Sequence, residues 1–508
     1  MWTTGAIRQA AAFGALLPIV FGIGSCATLD PRADYDRAEA LIAQSSQAPE
    51  VYRPEDDALA KTKTEALLAD GLGVQESVQI ALLNNPRFQG AMAAIGMARA
   101  DLVQSELWSN PVLGIGALLP SDGGGLVNLQ LDLAQNIAEL WQIRPRRRAA
   151  AAHLESAILE VARRAVTLAT EAKSAYYEAV GAAEVSQSAS DNLANVRLVL
   201  DAAVARRDAG AGTDLDVNLA QELVLEAELS EISAQLAAAD ARRQLAILLG
   251  LTTPADELAL IDPLPADAPA VHDSEELIQQ ARGHRLDLQI ARQRAVAAAN
   301  QYQLELRRVF PNLELGLSFE RDERRGSHEP NVYKQTAAAA IASNRVTGPQ
   351  LGLPRDADDD QTYILGPTLR LELPIFDHNQ AQIAKAQFAY VEAMKSYQAV
   401  DQALVQEVRG AAERASTAWR IVKLYQERSL PLAEKNLKLA RDAYESGRTP
   451  FLNVLEAQRF YLQARTKYIE GLTAAATAIP ELEMQVGRAL IETPSSRPAS
   501  RTGSLDKR

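Results

Sequence analysis

Few side chains in this sequence are spaced for covalent or metal chemistry. The five histidines, His153, His272, His284, His328 and His378, are scattered, and none has a second histidine three to five residues away, as a helical metal pair needs. The one cysteine, Cys26, excludes a disulfide within the chain and a thiolate metal cluster. There is no phosphate-cradling glycine loop and no nucleophile elbow. A formal net charge of −13 argues against a nucleic-acid partner. The nearest basic run, Arg144-Pro145-Arg146-Arg147-Arg148, is short and isolated and reads as a solvated helix start. What remains is the thiol of Cys26 and the carboxylates beside two glycine turns, Asp214 and Asp216 in one and Glu456 in the other.

The thiol sits at the end of an apolar run. Arg8 precedes Ala10–Ile23, which falls short of the roughly 20 residues that cross a bilayer and fits the apolar part of a secretory signal. The run ends in Ile23-Gly24-Ser25-Cys26, which resembles the bacterial lipobox. That resemblance implies cleavage after residue 25 and a diacylglycerol on Cys26, with neutral Ala27 permitting sorting to the outer membrane. An acyl lipid is the one non-protein group expected. Residues 26–70 are polar and broken by Pro31, Pro49 and Pro54, and read as an extended leader with little structure. The tail, 492–508, reads as disordered.

The carboxylates belong to a repeated turn. Gly210, Leu215, Val217, Ala220 and Gln221 align without a gap with Gly447, Leu452, Val454, Ala457 and Gln458. Gly210 and Gly447 suit the left-handed residue just past a helix. Thr213 with Asp216 three residues on suits a helix cap, and Thr449-Pro450 reads as N-cap and first helical residue. Upstream, Asn85-Pro86 aligns with Arg285-Leu286 and Asn110-Pro111 with Phe310-Pro311 at one common offset. The chain therefore divides into a first repeat over 71–250, a proline-broken linker over 251–273 and a second repeat over 274–491. Each repeat reads helix, strand, strand, long helix, tip, helix.

The strands alternate with period two. Leu113, Ile115 and Ala117, then Leu129, Leu131 and Leu133, then Leu313, Leu315, Leu317 and Phe319, then Leu369, Leu371 and Leu373 interleave with polar or small residues. Four strands cannot close a barrel, and an open edge cannot persist in lipid. They form a soluble sheet or close by oligomerising. From about Pro145 to Ala209, Leu154, Ile158, Val161, Ala165, Leu168, Ala172 and Ala175 step by four and three. Leu404, Val408, Ala411, Ala415, Ala418, Val422 and Tyr425 do the same within a stretch from Gln380 to Ser446. Each long helix would run on the order of 100 Å. Gln75–Trp108, Leu215–Leu249, Ser274–Val309 and Leu452–Ile491 read as half-length partners.

Asn85-Pro86, Asn110-Pro111, Leu373-Pro374-Ile375-Phe376-Asp377, Gln380-Ala381-Gln382-Ile383-Ala384 and the two tips, in this order after a lipobox, resemble the TolC family of outer membrane efflux proteins, in its lipoprotein branch. The resemblance spans about residues 70 to 490. It implies a mainly α fold with a transmembrane β-barrel: a homotrimer sharing twelve strands, four per chain, above an α-helical periplasmic tunnel. It implies a passive outer-membrane conduit, not an enzyme, whose partners are outer-membrane lipid, a periplasmic adaptor and an inner-membrane pump.

By the same resemblance the periplasmic gate falls on Glu456, Asn453 and, more weakly, Asp216; Asn453 departs from the acidic pattern. Three Glu456 carboxylates on an axis would repel one another and attract cations. Adaptor docking falls on Gly210, Thr213, Leu215, Val217, Gly447, Thr449, Leu452 and Val454, with hairpin packing the alternative for the leucines and valines. Trp108, Trp141, Phe310 and Phe376 suit an interfacial aromatic girdle, with core packing the competing account. The strand loops, about 118–125 and 321–362, would lie outside the cell, the second long enough to fold over the pore mouth. A periplasmic adaptor would carry a β-rich half that this chain lacks. A structural coiled-coil lipoprotein would have no use for paired amphipathic strands.

Overall fold

The computed structural model describes residues 29–46, 48–119, 127–268, 273–309, 312–324, 332–346, 348–349 and 360–490. Cys26, the signal segment, Phe310 and the tail lie outside the described residues. The chain begins with α1 (Arg32–Ser46), α2 (Asp57–Ala69), α3 (Val74–Asn84) and α4 (Pro86–Glu106). Then come β1 (Val112–Leu118), β2 (Asn128–Asn136), α5 (Glu139–Asp208) and α6 (Asp214–Leu248). The second half has α7 (Ser274–His284), α8 (Leu286–Arg307), β3 (Leu313–Arg324), α9 (Val332–Ser343) and β4 (Asp360–Leu371). It ends with α10 (Gln380–Leu424), a π segment (Tyr425–Ser429), α11 (Leu430–Glu445) and α12 (Phe451–Val486). Two compact units result. One holds the segments up to Val103, Ala151–Val296 and Glu392 onward; the other holds Gln104–Ala150 and Ala297–Val391.

In the first, helical unit the expected seams are buried. Leu154, Ile158, Val161, Ala165, Leu168, Ala172 and Ala175 of α5 are all core residues, as are Leu404, Val408, Ala411, Ala415 and Val422 of α10. Ala418 and Tyr425 are half-buried, and Trp419 takes the core position instead. Small residues let α5 approach α12 closely: a Cβ on Gly181 would stand 2.0 Å from Thr473 Oγ1.

The half-length helices expected over Gln75–Trp108 and Ser274–Val309 are each broken once. Pro86 forces Asn85 into extended backbone (φ −70°, ψ 117°), ending α3 and starting α4. Asn85 Oδ1 then accepts from the N–H groups of Arg87 and Phe88, 2.9 and 3.1 Å away. The second copy makes the same break at Arg285 (φ −60°, ψ 121°) without a proline. There Asp287 Oδ1 accepts from Leu288 N–H and from Arg285 Nε.

Each break receives the end of another helix. Beyond α6, Gly250 (φ +67°) has no room for a side chain, because a Cβ would lie 2.5 Å from the carbonyl oxygen of Asn84. The amides of Asn84 and Asn85 donate to the free carbonyls of Gly250, Leu249 and Leu248 at 2.8–3.0 Å. Beyond α12, Gly487 (φ +81°) is pressed in the same way against His284 and Arg285. The doubled sequence thus produces a doubled joint.

Two other expectations change. The leader is not extended: α1 buries Tyr35, Ala38 and Ile42 on one face, and its Asp34 takes a two-pronged ion pair from Arg99 Nε and Nη2 (2.6 and 2.9 Å). Packing and this half-buried pair hold a helix that local sequence does not announce. The second long helix is not continuous. Pro431 has no N–H for the preceding turn, and the chain widens into the π segment just ahead of it. The linker is tied down: Leu72 N–H donates to Ala259 O at 2.8 Å and Ile261 N–H to Leu72 O at 3.1 Å, around a parallel bridge of Leu72 with Leu260, and the Tyr176 hydroxyl accepts from Asp262 N–H at 2.8 Å. Burial pushes the Tyr176 phenol up to about 12.

In the second unit, β1-β2-β3-β4 form one antiparallel sheet. The register aligns Leu113 with Leu133, Ile115 with Leu131, Leu131 with Phe319 and Phe319 with Leu365, so one face is apolar across all four strands. The other carries Asn128, Gln130, Asp132, Glu314 and Glu320, with Glu314 paired to Arg370 at 3.6 Å. The apolar face is uncovered: Ile115 is 71% and Leu369 66% exposed. Among the described residues, β1 and β4 are both unpaired edges. The strands reach Arg324 and Asp360, and the alanine-rich run in the expected 321–362 loop forms α9.

Also in this unit, α5 starts at Glu139, six residues earlier than expected, and contains Pro145. The carbonyl of Trp141, which Pro145 cannot serve, accepts from Arg307 Nη1, and Trp141 Nε1 donates to the Arg307 carbonyl at 3.2 Å. The basic run has a structural task. Arg146 donates to the carbonyls of Ser105 and Leu107 at the end of α4, and Arg147 pairs with Glu106 at 2.7 Å.

The Gly181 contact sets a sign. Gly181→Ala should gain about 1 kcal/mol of helix propensity but lose about 2–3 kcal/mol to overpacking against the stiff Thr473 side chain. Thermal unfolding of the purified protein followed by circular dichroism should show a lower Tm for Gly181→Ala, recovered or exceeded when Thr473→Ala is added. An unchanged Tm in the single variant would contradict the close approach.

Candidate functional site

The two tips close with the same backbone bonds. In the first, Gly210 N–H donates to Arg207 O at 2.9 Å and Ala211 N–H to Arg206 O at 2.8 Å. In the second, Gly447 N–H donates to Tyr444 O and Arg448 N–H to Ala443 O, both at 2.9 Å. Gly210 (φ +69°) and Gly447 (φ +71°) are left-handed, as the repeat requires.

The helix starts differ. Thr213 caps α6 as expected: its Oγ1 accepts from Asp216 N–H at 3.2 Å, and its own N–H donates to Asp216 Oδ2 at 3.1 Å. Asp216 is therefore half-buried and engaged in a cap. In the second tip Pro450, not Thr449, occupies the N-cap position, with ψ 157° and no side-chain cap. Thr449 Oγ1 is buried without a hydrogen-bond partner. Phe451 enters the helix as its first residue and is 1% exposed.

That phenyl ring anchors a core of α5, α6 and α12. Val217 and Val454 lie inside it with Leu193, Val196, Leu223 and Leu455. They are packing residues and cannot form an exposed docking surface, contrary to the expectation for these two. Leu215 and Leu452 remain exposed, at 64% and 50%. Gly210, Thr213 and Gly447 are also exposed, and Thr449 is half-buried. Asn453 and Glu456 are exposed on the turn after Phe451, and Glu456 has no hydrogen bond or ion pair among the described residues.

Sequence reasoning missed what joins the tips. Arg206, at the end of α5, lies 4.7 Å over the Tyr444 ring, which meets Phe451 edge-on at 5.3 Å. Its guanidinium also donates to Glu445 O at 3.1 Å and Ala211 O at 3.3 Å, one carbonyl from each tip. Burial, then Asp216, raises the Tyr444 phenol, and Arg206 opposes this. Further along, Gln458 Nε2 donates to Asn192 Oδ1 at 2.8 Å, and Gln458 Oε1 accepts from Arg441 at 3.0 Å. Gln458 is buried, whereas its counterpart Gln221 is exposed. The one available signal was that Gln458 belongs to the repeated motif.

Beyond the tips, α6 presents Leu225, Leu229, Ile232 and Leu236, spaced four, three and four and each at least 60% exposed. A cleft of about 610 Å³ between α10 and α12 is lined by small residues, among them Gly410, Ala418, Gly471, Ala474 and Ala478. Among the described residues no group of His, Cys, Asp or Glu side chains could hold a metal ion. No helix among them is long and apolar enough to cross a membrane. Of the four aromatic residues singled out, Trp108 and Phe376 are exposed, Trp141 is half-buried against Arg307, and Phe310 is outside the described residues.

The profile of the outer membrane efflux protein family matches residues 77–251 and 277–488, one segment in each repeat and together well over half the chain. The chain is 29% identical to the cobalt-zinc-cadmium resistance protein CzcC of Cupriavidus metallidurans over 139 residues, which cover 27% of this chain and 33% of that protein. It is 26% identical to protein CyaE of Bordetella pertussis over 443 residues, 83% of this chain and 86% of that one. Its fold is similar to that of the outer membrane protein VceC of Vibrio cholerae, with a TM-score of 0.62 at 18% identity, covering 82% of this chain and 96% of that one. The chain belongs to the outer membrane efflux protein family, the outer-membrane channels of efflux systems.

Proposed function

We propose that three copies of this chain close a twelve-stranded barrel in the outer membrane above a helical periplasmic tunnel, forming a passive conduit rather than an enzyme. One observation carries this reading: a sheet with an apolar face, a polar face and two unpaired edges. In lipid each unmet backbone group costs several kcal/mol, and only closure removes the edges. The polar face, with Asp132, Glu314 and Glu320, then lines the passage. The exposed leucine seam of α6 packs against the small-residue cleft of a neighbouring copy, knobs into holes. Trp108 and Phe376, with Trp141 and Phe310, contribute the aromatic girdle. An acyl chain on Cys26 adds an anchor.

At the tips, Glu456 of each copy, with Asn453 beside it, forms the gate; Asp216 is weakened as a gate residue by its cap. The adaptor, which links the channel to an inner-membrane pump, docks on Leu215, Leu452, Thr213, Thr449 and the turns at Gly210 and Gly447. Val217 and Val454 hold the surface from within.

Two measurements check this. Leu229→Glu with Ile232→Glu buries charge at the seam if copies pack there, and native mass measurement in detergent should show the trimer replaced by monomer. Persistence of the trimer would remove the seam from the interface. Glu456→Ala should raise single-channel conductance in planar bilayers and weaken block by divalent cations. Wild-type conductance and block in this variant would take Glu456 out of the gate.

A further inference from the structure

The core seam that runs along α10 stops short of the tip. Val422 is buried and Leu437 of α11 is buried, but no side chain between them is. The interruption coincides with the π segment ahead of Pro431. Facing this stretch is a cleft of about 450 Å³ bounded by α5, α11 and α12. That size is within the range of small-molecule sites.

Its lining is chemically specific. Leu430 and Ile469 supply apolar surface, and Tyr461 and Tyr468 supply two half-buried aromatic rings. Arg465, the cation in the lining, is already paired with Asp191 at 3.4 Å, and Gln187 donates to the same carboxylate at 2.8 Å. Glu184 and Glu434 have no hydrogen bond or ion pair among the described residues. Burial raises the Glu184 carboxyl, with Arg465 opposing, and burial together with Glu184 raises the Tyr468 phenol. Two carboxylates thus stand beside two tyrosine rings over an apolar floor, Glu184 sharing the field of Arg465 with Asp191 and Glu434 making no ion pair among the described residues.

We propose that this cleft binds an organic cation with an apolar body, such as an onium or amine amphiphile. The carboxylates of Glu184 and Glu434 balance its charge, the rings of Tyr461 and Tyr468 contact the cationic centre, and Leu430 with Ile469 takes the apolar part. The π segment keeps α11 from closing the space. The site stands on its own lining and does not depend on how copies of the chain assemble.

Equilibrium dialysis of the purified full-length protein with tetraphenylphosphonium and with tetraphenylborate, ions of similar size and opposite charge, tests this. Saturable binding of one phosphonium per chain is expected, with borate at least about tenfold weaker. Glu184→Gln and Tyr468→Leu should each weaken phosphonium about tenfold, while Glu392→Gln on exposed α10 should not. Circular dichroism identical to wild type shows that the variants are folded, and Tyr468→Leu carries the test if Glu184→Gln does not fold. Equal binding of the two ions, absence of saturable binding, or wild-type phosphonium affinity in the folded variants overturns the proposal.

Discussion

Unmet backbone hydrogen bonds are the constraint on which this structure turns. The four-stranded sheet ends in β1 on one side and β4 on the other, each with a row of N–H and C=O groups that no other strand among the described residues meets. Its apolar face is also uncovered. Either feature alone is common in water, where edges are hydrated or shielded. Together they are the ground on which we propose that the sheet lies in a medium that supplies no hydrogen bonds and closes with other copies. The exposed leucines of α6 and the small-residue cleft of the helical unit are likewise surfaces left bare in the chain, and we propose that they meet between copies.

Duplication shows how one backbone plan takes on two chemistries. Both tips close through the same pair of hydrogen bonds and the same left-handed glycine. The first then locks its helix with a capping box that occupies Asp216. The second has Pro450 at the N-cap and Asn453 in the place of Asp216, and Glu456 further along makes no hydrogen bond or ion pair among the described residues. Arg206 ties the two together by reaching one carbonyl in each and the face of Tyr444. A single charged side chain therefore couples a tip whose acid is engaged in its cap to one whose acid makes no pair among the described residues.

The strands and long helices were legible because their periods differ. Leu129, Leu131 and Leu133 can only be a strand face, and Leu154, Ile158 and Val161 only a helix face. The break at Asn85 carries its own mark in Pro86. Its twin at Arg285 has none, because there the bend is held by Asp287 and by Gly487 pressing from another helix. The helices of the leader escaped notice for a similar reason: Asp34 finds Arg99 only after folding. Helical spacing also could not separate Val217 from Leu215 as core and surface. Two residues on one turn face opposite ways, and only the position of Phe451 decides which way is in.

The central claim is that the sheet closes through β1 of one copy against β4 of the next, around three copies. Cysteines placed at the two edges, as Gly116→Cys on β1 and Gly366→Cys on β4, measure it directly when outer membranes are oxidised and resolved by denaturing electrophoresis. Cross-linked products of two and three chains are expected, the ladder ending at three, and neither single variant should give a three-chain product. A link confined within one chain, a ladder that continues past three, or no cross-link in the membrane-inserted protein would contradict the closure.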